Sequence, residues 1–176
     1  MIAPITINPK PENNKAKVFV AIFGTLGGLL FFVSMQIAHY RGVVALLAMM
    51  LIVAALTVSV KYILSEFSYE ITNSDGEWLF VVGQRSGKRY TTLCRVGLSS
   101  VRSIEKKKKG EDKEKSREHL RYTYVPTFMP DSYYVMTVEN RYEKAKISLQ
   151  LTDGMANLIR SYAEEARLLS PELDEE

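Results

Sequence analysis

Residues 18–62 form one apolar block, VFVAIFGTLGGLLFFVSMQIAHYRGVVALLAMMLIVAALTVSVKY, and this block constrains the chain more than anything else in it. Its first run, residues 18–38, carries no charge. About 20 such residues at 1.5 Å each cross the roughly 30 Å hydrocarbon core of a bilayer. The second run, residues 43–60, is also uncharged. Only His39-Tyr40-Arg41-Gly42 separates them, which allows a tight turn and nothing more. A cleaved signal peptide would have an apolar stretch of about 7–15 residues and a small-x-small cleavage site. Met35-Gln36-Ile37-Ala38-His39 is not such a site, and a second run follows at once. The expectation is a two-helix transmembrane hairpin over residues 18–64.

Gly24 and Gly28, and again Ala55 and Ser59, stand four residues apart. Small residues at that spacing let helices approach closely in lipid, so these four are candidate helix–helix contacts, within the hairpin or between copies. Lys10, Lys15 and Lys17 precede the first run, Arg41 alone lies in the turn, and Lys61 follows the second. The positive-inside rule then puts both termini in the cytoplasm of a two-span cell-membrane protein. Residues 1–17, with three prolines and no periodicity, read as a disordered cytoplasmic tail.

From Ser65 the period changes to two. Phe67, Tyr69 and Ile71 alternate with Glu66, Ser68 and Glu70, and Asn73-Ser74-Asp75-Gly76 turns the chain into Glu-Trp-Leu-Phe-Val-Val. Arg85-Ser86-Gly87-Lys88-Arg89 is a second turn before a third strand, residues 90–96. Residues 97–104 suggest a strand with a bulge or short turn. Residues 105–121 form a charge run expected as a long exposed loop. Strands follow near residues 122–128, where Pro126 and Pro130 argue for a sheet edge, and at 133–139 and 144–151. Thr152 or Asp153 then caps an amphipathic helix with Met155, Leu158, Ile159, Tyr162, Ala166 and Leu169 on its apolar face. Residues 170–176 are an acidic tail.

Two stretches carry a resemblance: Leu98-Ser99-Ser100-Val101-Arg102-Ser103-Ile104-Glu105, and the alternating residues 144–151 leading into the helix from Asp153. Behind a membrane hairpin, they make the chain similar to the bacterial PH-domain two-span membrane proteins of the YdbS and YcxB kind. The resemblance implies an α+β PH-like domain over residues 65–169. Such a domain has about seven antiparallel strands in two near-orthogonal sheets, capped by a C-terminal amphipathic helix. It implies a membrane setting and binding of lipids, peptides or proteins. The inositol-phosphate site of eukaryotic PH domains uses basic residues near the first hairpin loop. Here that loop, Asn73-Ser74-Asp75-Gly76, has none.

The basic residues lie elsewhere. Alternating strand directions would return Arg85, Lys88 and Arg89, and the start of Lys106-Lys107-Lys108-Lys109, towards the bilayer. These seven are candidate contacts for anionic lipid, each worth about 1 kcal/mol near an anionic leaflet. Glu111, Asp112, Glu114 and Glu118 offset part of the second cluster. Basic residues without interleaved aromatics on a tethered domain do not suggest nucleic acid.

Reaction chemistry is not expected. The one cysteine, Cys94, permits no disulfide within the chain, and the only histidines are His39 and His119. No CxxC, HExxH or phosphate-binding glycine loop follows a strand. The expectation is therefore no catalytic residue, no metal and no cofactor. It is a membrane-anchored PH-like module that binds a protein partner or another copy at the cytoplasmic face. The alternatives are a sensor of anionic lipid or the envelope, or a small accessory subunit of a larger membrane complex.

Overall fold

The computed structural model describes residues 5–9, 13–37, 39–74, 76–109, 120–140 and 144–169. The chain divides into two compact units, residues 11–65 and residues 1–10 with 66–176.

The first unit is the helical hairpin. Helix α1 spans Asn14–Gln36 and α2 spans Arg41–Val58, continued by a π-helical turn, Ser59–Ile63. Both helices are long and apolar enough to cross a membrane. Their buried or half-buried residues recur at intervals of four and three. On α1 the seam is Ala16, Val20, Phe23, Gly27, Leu30 and Ser34; on α2 and the π-turn it is Ala45, Ala48, Ile52, Ala55, Ser59 and Tyr62. That spacing is the a/d seam of a coiled coil, here filled mainly with small residues. At the open end the buried Asn13 amide donates to the Tyr62 carbonyl. Ser65 Oγ donates to Val60 O at 2.8 Å. Both satisfy carbonyls that a helix end leaves without an intrahelical partner.

The second unit has eight strands among the described residues. One sheet has the order β1-β2-β3-β4, formed by Ile5–Ile7, Ser65–Ser74, Glu77–Ser86 and Arg89–Gly97. The other has the order β5-β7-β8-β6, with β5 Val101–Lys108, β6 Leu120–Tyr124, β7 Ser132–Glu139 and β8 Lys144–Leu149. Helix α3, Asp153–Leu169, follows. Phe67, Tyr69 and Ile71 from β2 share one core with Met136 from β7, Leu149 from β8, and Met155 and Ile159 from α3. Each such side chain contributes about 1.5–3 kcal/mol by leaving water. Trp78 packs on Tyr162 with ring centroids 4.3 Å apart, joining α3 to β3.

Five details depart from the sequence expectation. The segment expected as a disordered tail supplies β1, whose Thr6 pairs with Glu70 and Ile7 with Tyr69; α1 then begins at Asn14. Half-buried Ile7 packs against the core, which gives three residues reason to order. The strand count is accordingly eight. The sheets are not wholly antiparallel, since β6 runs parallel to β8. Lys106, Lys107 and Lys108 are not in a loop. They pair with Tyr134, Tyr133 and Ser132 of β7, and a strand backbone is indifferent to exposed lysines at a sheet edge. On α3, Leu158 is exposed, while Ala156 and Ala163 are buried. The 110–119 part of the charge run and the 170–176 tail lie outside the described residues.

The edge position expected near Pro126 is observed for β6. Thr152 is the helix cap, its hydroxyl accepting from Met155 N at 3.3 Å.

Candidate functional site

Strands β3 and β4 are joined by two residues, Gly87 and Lys88, with Ser86 opposite Arg89. Gly87 has φ +61°, the conformation that the first position of a tight hairpin turn demands. Arg85 Nε donates to Gly87 O at 3.2 Å across the turn. Arg85, Lys88 and Arg89 are therefore gathered at one exposed tip. Among the described residues no carboxylate pairs with any of the three. Tyr90, 56% exposed, lies with its hydroxyl over the bare Cα of Gly83 and 3.4 Å from Ser68 Oγ.

The second basic cluster is separate and differently engaged. Lys106 Nζ donates to Asp153 Oδ1 at 2.8 Å, and the Tyr134 hydroxyl donates to the same oxygen. These hydrogen bonds hold the Asp153 carboxyl below the usual carboxylate range and push Lys106 and Tyr134 up. They line an open pocket of about 350 Å³ with Ser132, Tyr133, Gln150, Leu151 and Thr152. An aspartate kept ionised and already accepting two donors is no general acid. Its role here is to tie the start of α3 to β5 and β7. Lys106 is thus an ion-pair partner, and of the four lysines only Lys109 stands past the end of the strand.

The sheet edges are unequal. Arg160 Nη2 donates to Ile104 O at 2.6 Å, and Arg167 Nη2 donates to Val101 O and, at 3.4 Å, to Arg102 O. Helix α3 therefore occupies carbonyls of β5. Strand β6 is exposed along most of its length, with Leu120 48% and Tyr122 42% accessible and the rings of Tyr122 and Tyr124 stacked at 6.2 Å. Its base is rigid. The buried Tyr69 hydroxyl donates to Tyr124 O at 2.6 Å and accepts from Gln150 N at 3.2 Å. Burial pushes Tyr69 far above the ordinary tyrosine range. The period of two shows which face Tyr69 is on and not what its hydroxyl meets.

Burial pushes the Cys94 thiol up, the opposite of what a nucleophile needs. Among the described residues no three His, Cys, Asp or Glu side chains gather as a metal site.

In the hairpin, Ala55 and Ser59 lie on the seam, whereas Gly24 and Gly28 have nothing within 4 Å of where a Cβ would stand. Gly27, which the four-residue spacing passed over, makes the close approach. The heptad recurrence of small residues was the signal that could have found it.

Two apolar helices, two four-stranded sheets and a closing helix can be set against known families. Residues 8–167 match the family described as Bacterial PH-like domain (DUF6106). The chain belongs to this bacterial PH-like family. The match spans both apolar helices as well as strands β2 to β8, so the hairpin is part of what the family shares. No curated protein matches the chain significantly. Membership in a PH-like family supports an interaction module.

Proposed function

We propose that this bacterial PH-like protein is a membrane-anchored interaction module. In this reading the hairpin crosses the cell membrane twice with both termini in the cytoplasm, and the strand unit binds a protein partner there. The observation that carries it is the outside of the hairpin. Phe32 is 65% exposed and Val43 70%, with Leu29, Leu46, Met49 and Val53 likewise turned outward. In water that continuous apolar surface would far exceed the few hundred Å² a soluble monomer exposes. In lipid it is the expected exterior, while the small-residue seam holds the helices together. The lysines at 10, 15, 17 and 61 against Arg41 alone in the turn support the inward termini. The exposed edge of β6, with Leu120 and Tyr122, supports a partner that adds a strand or packs on the tyrosines.

Cysteine mapping tests the topology. In a Cys94→Ala background, Gly42→Cys should react with an impermeant thiol reagent on intact cells, and Glu164→Cys only after permeabilisation. The reverse pattern would overturn the orientation. A photocrosslinking residue at Tyr122 should capture one defined protein partner, and loss of that adduct on Leu120→Asp would assign the edge. An adduct unaffected by that change would count against it.

A further inference from the structure

We infer that the β3–β4 hairpin tip is a contact for an anionic bilayer surface, made by Arg85, Lys88 and Arg89 with Tyr90 beside them. The inference rests on the hairpin being a membrane anchor. Five cations elsewhere in the strand unit are engaged: Lys106 with Asp153, Lys144 and Arg102 with Glu139, and Arg160 and Arg167 with β5 carbonyls. The tip concentrates three cations within five residues and pairs none with a carboxylate among the described residues.

The tip's shape selects the class of ligand. Lys88 lies in the two-residue turn, Arg85 and Arg89 flank it at the ends of β3 and β4, and none of the three lines the pocket at Asp153. A single headgroup held specifically needs a concave site with converging donors. Three cations on a convex tip instead suit a flat charged surface, where each adds independently. Tyr90 adds an amphipathic ring of the kind that settles at headgroup depth. A protein anchored in the same bilayer meets that surface at high effective concentration, so weak individual contacts suffice.

The test uses the full chain in proteoliposomes. A fluorophore is placed on Ser86→Cys in a Cys94→Ala background, and a quencher is carried on lipid headgroups. Quenching should be strong in phosphatidylglycerol-containing membranes and weak in pure phosphatidylcholine. It should fade as salt shortens the screening length below about 10 Å. Arg85→Gln, Lys88→Gln and Arg89→Gln together should weaken the contact about 100-fold, from about 5-fold per cation. Equal quenching in both lipids, or quenching unchanged in the triple variant, overturns the inference. So does protection by soluble polyglutamate in neutral membranes, which would make the tip a site for an acidic protein segment. Failure of the protein to enter phosphatidylcholine membranes at all would instead remove the anchor reading. Insertion without a lipid-dependent signal removes the tip contact alone.

Discussion

Gly27 and Ile52 approach so closely that a β-carbon on residue 27 would stand 2.8 Å from Ile52 Cγ1, and 3.2 Å from Ala48 O. One obstacle is backbone and cannot swing aside. Gly27→Leu should therefore force the helices apart at an overpacking cost of about 1–3 kcal/mol or more. Gly24→Leu and Gly28→Leu, at open positions, should leave the hairpin intact. Disulfide formation between Ala16→Cys and Tyr62→Cys in detergent, with Cys94 replaced, reads this out. Crosslinking that survives Gly27→Leu unchanged would refute the seam.

Tyr69 joins β2, β6 and the end of β8 through one hydroxyl. Tyr69→Phe keeps the ring and strands two backbone groups, at a cost of about 1–3 kcal/mol. For a unit of this size that lowers the melting temperature by about 4–8 °C per kcal/mol. Tyr90→Phe, whose hydroxyl makes only the 3.4 Å contact with Ser68, should change stability by less than about 0.5 kcal/mol. Thermal melts of both variants decide.

Arg160 and Arg167 cover β5 carbonyls that would otherwise form a strand edge open to pairing. Arg160→Gln with Arg167→Gln should promote edge-to-edge association, visible as a concentration-dependent rise in mass by light scattering. A mass unchanged across concentrations would show that the edge is protected by other means.

Ile7 is half-buried at the end of a three-residue strand. Ile7→Asp should release β1 while the rest of the unit stays folded. Hydrogen exchange at Glu70 and its neighbours on β2 should then quicken, with little change on β8.

Lys106 and Tyr134 lower the Asp153 pKa, so the folded state favours its ionised form. That contribution is complete above the unfolded carboxyl pKa of about 3.9 and is lost as pH falls through the depressed folded value. The raised Lys106 pKa has the opposite sense: its share is present below the ordinary lysine pKa and is lost as pH climbs through the raised one. Asp153→Asn should flatten the acid limb of a melting-temperature profile. The effect is small because the pair is exposed. Identical acid limbs would exclude the pair as a contributor.

Most of the architecture was legible because it depends on local periodicity. Uncharged runs of bilayer length announced α1 and α2. Alternation at Phe67, Tyr69 and Ile71, and again at Ala145, Ile147 and Leu149, announced strands. Thr152 before an amphipathic run announced α3. The tip was legible too, since Gly87 between basic residues marks a turn. Much less could be read of what meets what. Nothing in the sequence sets Lys106 apart from its three neighbours; Asp153, 47 residues away, does so by pairing with it.

By itself, the sequence determined the membrane-length hairpin, the change of period at Ser65, the final helix and the concentration of cations around Gly87. All of these are patterns within a few turns or strands of chain. Only the tertiary structure decided that β1 joins β2, that β6 runs parallel to β8, that Gly27 rather than Gly24 or Gly28 makes the close approach, and that, among the described residues, Lys106 pairs with a carboxylate while Arg85, Lys88 and Arg89 do not. The physical reason is common to all four. Each depends on which distant groups satisfy a backbone edge, a helix surface or a charge, and a one-dimensional pattern carries no record of the partner.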